Sequence, residues 1–312
     1  MKIKNISKKI IPALLCGALA LSAGCAQKQG QEQPGNGGLK VVTVNFPPYD
    51  FIKEISGGDV VPSMLLRGGQ DAHSYEPTAK DIIRISEADL FVYTGGESDT
   101  WVDTIMDSIE GDVEIIRIMD FVELLEEEED EEEPEEHDHE HEYDEHIWTS
   151  PKNAVRISGG LAEAMCAADP ENAEKYRAGL ERYTTELNGL SDELQAAADT
   201  LTEPLIFGDR FPFAYMARDY GIEYYAAFAG CSADTEPSAA KMTFLIDKAK
   251  ETGAKHIYHI EFSTGKVAEA IAEASGADIR LMHSCHTVSD DDLSAGESYI
   301  SIMRKNILAM KG

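Results

Sequence analysis

From Lys40 onward, short β-branched apolar runs alternate with stretches whose apolar residues recur at helical spacing. KVVTVNF (Lys40–Phe46) predicts a buried strand, closed by Pro47-Pro48 ahead of the helical YDFIKEISG. VVPSML (Val60–Leu65) predicts a second strand, Pro77–Ala88 a helix opened by proline, and DLFVYTG (Asp89–Gly95) a third strand. WVDTIMDSI (Trp101–Ile109) reads as helix and VEIIRIM (Val113–Met119) as a fourth strand. Such alternation implies βαβ units and a mainly parallel sheet, giving an N-terminal αβ lobe over 40–152. A helical segment follows over 153–203, and its second part (170–201) keeps apolar spacing for about eight turns, long enough for a rigid strut. From Pro204 the strand–helix alternation resumes: PLIFGD, EYYAAF, HIYHIEF and DIRLMH read as strands, each followed by a helical stretch. The expected fold is therefore α/β. Two similar lobes with mainly parallel sheets, the second over 204–312, are joined by a long backbone helix. Ligands of open parallel sheets sit outside the strand C-termini, which places a site in the cleft between the lobes.

The N-terminus has a different pattern. Lys2, Lys4, Lys8 and Lys9 precede an apolar stretch too short to span a bilayer, and small residues follow it. Leu21-Ser22-Ala23-Gly24-Cys25 resembles a bacterial lipobox, which makes 1–24 a signal peptide and Cys25 the lipidated residue. Residues 25–39 are polar and suit a flexible tether, so the expected location is the extracytoplasmic face of a cell membrane. Within the 312 residues the formal net charge is −31, and removing the four lysines of the signal makes the remainder more acidic still. A field of that sign repels nucleic acid and gathers cations.

Part of that charge is concentrated in one low-complexity stretch, EEEEDEEEPEEHDHEHEYDE, within 123–145. Its composition cannot bury enough apolar surface to fold alone, and it is expected as a disordered surface loop. His137, His139 and His141 are interleaved there with Asp138 and Glu140 and offer loose, multi-site cation capture. Ordering such a loop costs roughly 1–2 kcal/mol per residue, which argues against a tight site there.

Of the nine histidines, four others lie on loops expected at strand C-termini. His73 sits in GGQDAHSYEPTAKD, His146 in YDEHIWTSPKN, and His283 and His286 flank Cys285 in LMHSCHTVSDDD. Imidazoles brought together from separate strand-end loops build a zinc or manganese site without a local motif. GGQDAHSYEPTAKD resembles the first metal-histidine motif of the cluster A-I solute-binding proteins, the zinc and manganese receptors of ABC importers. EYDEHIWTSPKNA is similar to their second motif and FGDRFPFAYMARDYGI to their third. GCSADTEPSAAKM resembles their Glu-Pro-Ser loop and AGESYISIMRKNILAM their C-terminal helix. The resemblance covers nearly all of Lys40–Met310 and implies a lipid-anchored, monomeric receptor that passes Zn²⁺ or Mn²⁺ to a permease and its ATPase. It also implies His73, His146 and His286 as ligands.

The chain departs from the pattern where the third motif usually holds a histidine. That place falls on Arg210, whose guanidinium has no lone pair to offer a metal. Cys231 and Cys285 lie on two loops expected to face the cleft, where they could form a disulfide, or Cys285 could supply a thiolate. Water or an anion held by Arg210 is a further way to complete the shell, and His283 is a further candidate donor. Cys166, beside Met165 on a helical apolar face, reads as core. A zinc hydrolase is the main competing class, but HExxH, GxSxG and GxxxxGK[ST] are all absent from the sequence. A receptor for a chelated metal or other anionic ligand, held by Arg210, is the alternative within the binding class.

Overall fold

The computed structural model describes residues 38–70, 72–127, 143–230 and 236–311. The signal peptide 1–24, Cys25, most of the tether, His137, His139, His141 and Cys231 lie outside the described residues. Among the described residues, no helix is long and apolar enough to cross a membrane.

Two four-stranded, all-parallel sheets carry the fold. The first has the order β2-β1-β3-β4, built from β1 (Val41–Thr43), β2 (Ser63–Met64), β3 (Leu90–Tyr93) and β4 (Glu114–Arg117). The second repeats that order as β6-β5-β7-β8, from β5 (Leu205–Arg210), β6 (Tyr224–Phe228), β7 (His256–His259) and β8 (Asp278–Leu281). The helices that follow are α1 (Phe46–Ser56), α2 (Ala79–Ser86) and α3 (Trp101–Ile105) in the first lobe. The long pair α4 (Pro151–Ala168) and α5 (Ala173–Ala198) comes next. The second lobe adds α6 (Ala214–Tyr220), α7 (Ala239–Thr252), α8 (Lys266–Ser275), α9 (Asp290–Ala295) and α10 (Tyr299–Lys311).

Several elements are shorter than their apolar runs suggest, for identifiable reasons. The first strand ends at Thr43, and Pro47-Pro48 opens α1 instead of merely ending the strand. The missing N–H of proline costs nothing in a first helical turn, where that donor has no intrahelical partner. The second strand shrinks to Ser63–Met64 behind Pro62, which cannot donate to a ladder and is tolerated only because β2 is an edge strand. The helix predicted over 77–88 is held to Ala79–Ser86 by a capping box in which Thr78 and Asp81 satisfy each other's backbone N–H.

One apolar core runs through both lobes. It joins Val41 and Leu90 of the first sheet to Phe207 and Tyr258 of the second through Trp148, Leu161, Leu187 and Met303. Smaller clusters cover the outer faces, around Ile85, Trp101 and Val102 on one side and Leu245, Ala249 and Ile271 on the other. The α5 helix buries Tyr176, Tyr183, Leu187, Leu190, Leu194 and Ala197, a stripe at helical spacing, against α4, α1 and α10. A single residue sets its closest approach. A Cβ on Gly179 would lie 1.8 Å from the Ile55 carbonyl oxygen, so α1 and α5 meet backbone to backbone there. Gly179→Ala is expected to separate the two helices and cost about 1–3 kcal/mol, the range for overpacking a core. A thermal melt of the variant that coincides with the parent's would contradict this.

The acidic stretch is fastened at both ends. Glu126 and Tyr143 form an antiparallel bridge, and the Asp144 N–H donates to the Leu125 carbonyl at 3.0 Å. The expected loop over 123–145 is thus too wide, because Asp144 and Glu145 are buried parts of the fold.

Candidate metal centre

The turn that leads into α4 carries the centre. The Asp144 carboxylate accepts the backbone N–H of His146 at 2.7 Å and lies 3.3 Å from its ring Nδ1. That contact assigns the ring proton to Nδ1 and leaves the Nε2 lone pair for a ligand. Asp144 is in turn held by the Tyr215 hydroxyl, which donates to its carbonyl at 2.8 Å. Two residues on, Trp148 is fully buried, and its indole N–H donates to the Ser284 carbonyl at 2.8 Å. This bond ties the turn to the loop after β8, which carries His286. The His146 and His286 rings then meet edge to face at 5.4 Å, and both pack on the Trp148 indole.

Glu145, His146 and His286 each present one donor atom, and these atoms lie within 4.8 Å of one another. A tetrahedral ion bound at about 2.1 Å spaces its ligands about 3.4 Å apart, so closing the site takes movements of roughly an ångström. The centre opens on a cavity of about 280 Å³ at the strand C-termini of the second sheet. Gly69, Gln70 and Ala72 form its wall from the first lobe, and Arg210, Gly230, Glu261 and Ser284 line it from the second.

The other expected ligands fall in different places. His73 belongs to a short 3₁₀ turn, Ala72–Ser74, on the loop that walls the cavity, and its side chain lies outside the described set. Arg210 ends β5 and lines the cavity. His283 serves the fold: its Nδ1 accepts the Cys285 N–H at 2.9 Å, and its backbone is clasped on both sides by the Asn306 amide. Cys285 is a free thiol buried in the apolar core, apart from the donor group. Burial, with Glu261 and Asp50 adding to it, pushes that thiol well above its ordinary range, and among the described residues its sulfur is not one of the atoms gathered at the centre. Cys166 donates to the Ala173 carbonyl between α4 and α5 and packs against the core, as expected.

The charge around the centre is negative. Burial alone would lower the His146 pKa, but the Asp144 carboxylate beside it, helped by Glu145 and Glu127, leaves it raised. Burial pushes Asp99 up to about 7, and the Glu145 charge adds to this. Glu145 itself is completely buried. Glu145, Asp144, Glu261 and Ser98 are the residues that sequence reading missed. Within the acidic stretch, Asp144 and Glu145 look like every other acid, and the useful signal is that they directly precede His146 and the apolar Ile147-Trp148 pair.

A family model described as "Zinc-uptake complex component A periplasmic" matches residues 41–312. The chain belongs to this ZnuA family. Among its relatives is the "High-affinity zinc uptake system protein ZnuA" of Bacillus subtilis, 34% identical, with 95% of this chain and 94% of that protein covered. The "Zinc-binding lipoprotein AdcA" of Streptococcus pneumoniae is 31% identical over 99% of this chain, which spans only 60% of that protein's length. The Zn(II)-bound ZnuA-like domain of the same AdcA superposes with a TM-score of 0.73 at 28% identity, covering 88% of this chain and 98% of that domain. Membership of the ZnuA family agrees with the two-lobe parallel architecture described above.

Proposed function

We propose that the chain captures a divalent transition metal, zinc foremost, outside the cytoplasm and delivers it to an ABC importer. The observation that carries this reading is the meeting of the His146 and His286 imidazoles at the mouth of a cavity between the lobes. The carboxylate on His146 Nδ1 supports it further, because it fixes the tautomer a metal needs. Relatives named for zinc uptake and zinc binding point the same way. In this reading His73 joins His146 and His286 from the first lobe, and Cys25 anchors the protein to the membrane. A permease and its ATPase are the partners. The acidic stretch gathers cations loosely nearby, through His137, His139 and His141. The protein binds and releases its cargo without chemical change, so it is a receptor and not an enzyme.

The shared core and the long α5 make large lobe movements costly, so the site is expected to close by loop adjustment. Titration of the purified full-length chain with zinc and manganese, in competition with a chelator, tests the reading. One tight zinc per chain is the expected result. Failure to bind either metal tightly would remove the proposal. A second reading has one observation in its favour: Arg210 lines a cavity whose roughly 280 Å³ far exceeds one ion. Tight binding that appears only when a small anionic chelator accompanies the metal would favour that reading.

A further inference from the structure

The Asp144–Glu145–His146 tripeptide turns so tightly that consecutive side chains serve one centre. Asp144 grips His146 from behind, the Ile147 N–H donates to the Glu145 carbonyl at 2.8 Å, and the Glu145 side chain enters the protein beside the His286 ring. A carboxylate with no exposed surface is costly to hold as a charge unless something offsets it. One offset is visible: Oε2 accepts the Ser98 backbone N–H at 3.1 Å and the Ser98 hydroxyl at 2.7 Å. These two bonds orient the carboxylate so that Oε1 lies 4.0 Å from His286 Nδ1. That distance is too long for a hydrogen bond, yet close to the spacing of two ligands of one ion. The loop from the first sheet is shaped around this arrangement. A Cβ on Gly96 would fall 2.4 Å from the Glu145 Cβ and 2.5 Å from its Oε2, so only glycine lets the Ser98 donors approach.

We propose that Glu145 is a metal ligand, coordinating through one carboxylate oxygen beside the imidazoles of His146 and His286, and that Ser98 is its positioning residue. This rests on the metal-capture reading and gives the site a mixed set of nitrogen and oxygen donors. Arg210 in the same cavity has no lone pair to give, so the anionic donor comes from the residue adjacent to a ligand histidine. The negative charge of Glu145 offsets part of the cation's charge where little water can do so. The same mixed set moves preference away from soft, sulfur-seeking ions and toward zinc and its harder neighbours.

The test compares wild-type full-length chain with Glu145→Gln and Ser98→Ala. It uses zinc competition titration, the visible spectrum of the Co²⁺-loaded protein, and the melting temperature without metal. Glutamine keeps the shape and an oxygen for the Ser98 donors but removes the charge. Glu145→Gln is expected to lose more than about 100-fold in zinc affinity and to change the Co²⁺ spectrum, while melting no lower than wild type. Ser98→Ala is expected to lose about 10–100-fold, the usual effect of removing a ligand's supporting partner. Should wild type bind zinc tightly and both variants match it in affinity and Co²⁺ spectrum, Glu145 is structural and the proposal is overturned. Failure of wild type to bind would instead remove the metal-capture reading itself. If Glu145→Gln does not fold, Ser98→Ala decides, since it leaves the carboxylate in place and frees only its orientation.

Discussion

His146→Ala and His286→Ala are each expected to lower zinc affinity by more than about 100-fold, beyond the 10–100-fold that follows from disturbing a ligand's partner. The reason is geometric. His146 lies in the turn before α4 and His286 in the loop after β8, so among the described residues each imidazole is the one its segment brings into the donor group. With either ring gone, the centre loses a nitrogen donor that nothing beside it replaces, because the Trp148 indole that packs on both rings offers no lone pair. The double variant should therefore lose little more than the worse single one, because the ligands act as a unit. His283→Ala is the control. Its ring is committed to the Cys285 N–H, so the change should lower stability while zinc affinity stays within the error of the titration. Equal loss of affinity in His283→Ala and His286→Ala would mean that the whole loop, and not one ring, carries the effect, and the assignment of His286 would fail.

The sequence revealed the architecture more fully than the centre. Runs such as LFVY and LIFGD are apolar on both faces, which only a sheet covered on both sides explains, and these became β3 and part of β5. Boundaries were less legible where a proline changed meaning with context, as at Pro47-Pro48 inside α1 and Pro62 beside an edge strand. For the site, His146 and His286 were readable because the nine histidines can be inspected one by one and both stand at strand or helix ends. Glu145 was hidden by its neighbours. In a stretch where nearly every residue is acidic, composition cannot single out the carboxylate that enters the protein. The difference arises from Ser98 and Gly96, 47 and 49 positions away, and only the fold brings them alongside. Cys285 misled in the opposite sense. It was expected on a loop facing the cleft, as half of a disulfide with Cys231 or as a thiolate, whereas its backbone is left-handed (φ 63°) and its side chain is part of the apolar core.

Asp50→Asn is expected to stabilise the protein at pH 8 and to have little effect at pH 4. Asp50 sits in α1 with no exposed surface, and one of its oxygens accepts the backbone N–H of Tyr299, the first residue of α10, at 2.8 Å. Burial pushes its pKa from 3.8 up to about 7, with Glu54 adding and the Tyr299 bond and Lys53 subtracting. A folded-state pKa above the unfolded one means that the protonated carboxyl favours the native state. Its contribution is full below pH 3.8 and is lost as pH rises through about 7. The span of about three pH units corresponds to about 4 kcal/mol, at 1.36 kcal/mol per unit. Asparagine has no charge to bury and keeps an oxygen for the Tyr299 N–H, so it should recover most of that amount above neutrality, a rise of roughly 6 °C in melting temperature for a chain this size. The quantity to measure is the difference between variant and parent across pH 4 to 8, because Asp99, also near 7, contributes equally to both proteins and cancels. A difference that does not change with pH would show that Asp50 is ionised throughout and that α1 and α10 are joined by a charged cap. A difference that opens above about pH 6 would show that the junction between the first lobe and the C-terminal helix is held by a neutral carboxyl, at its firmest in mild acid.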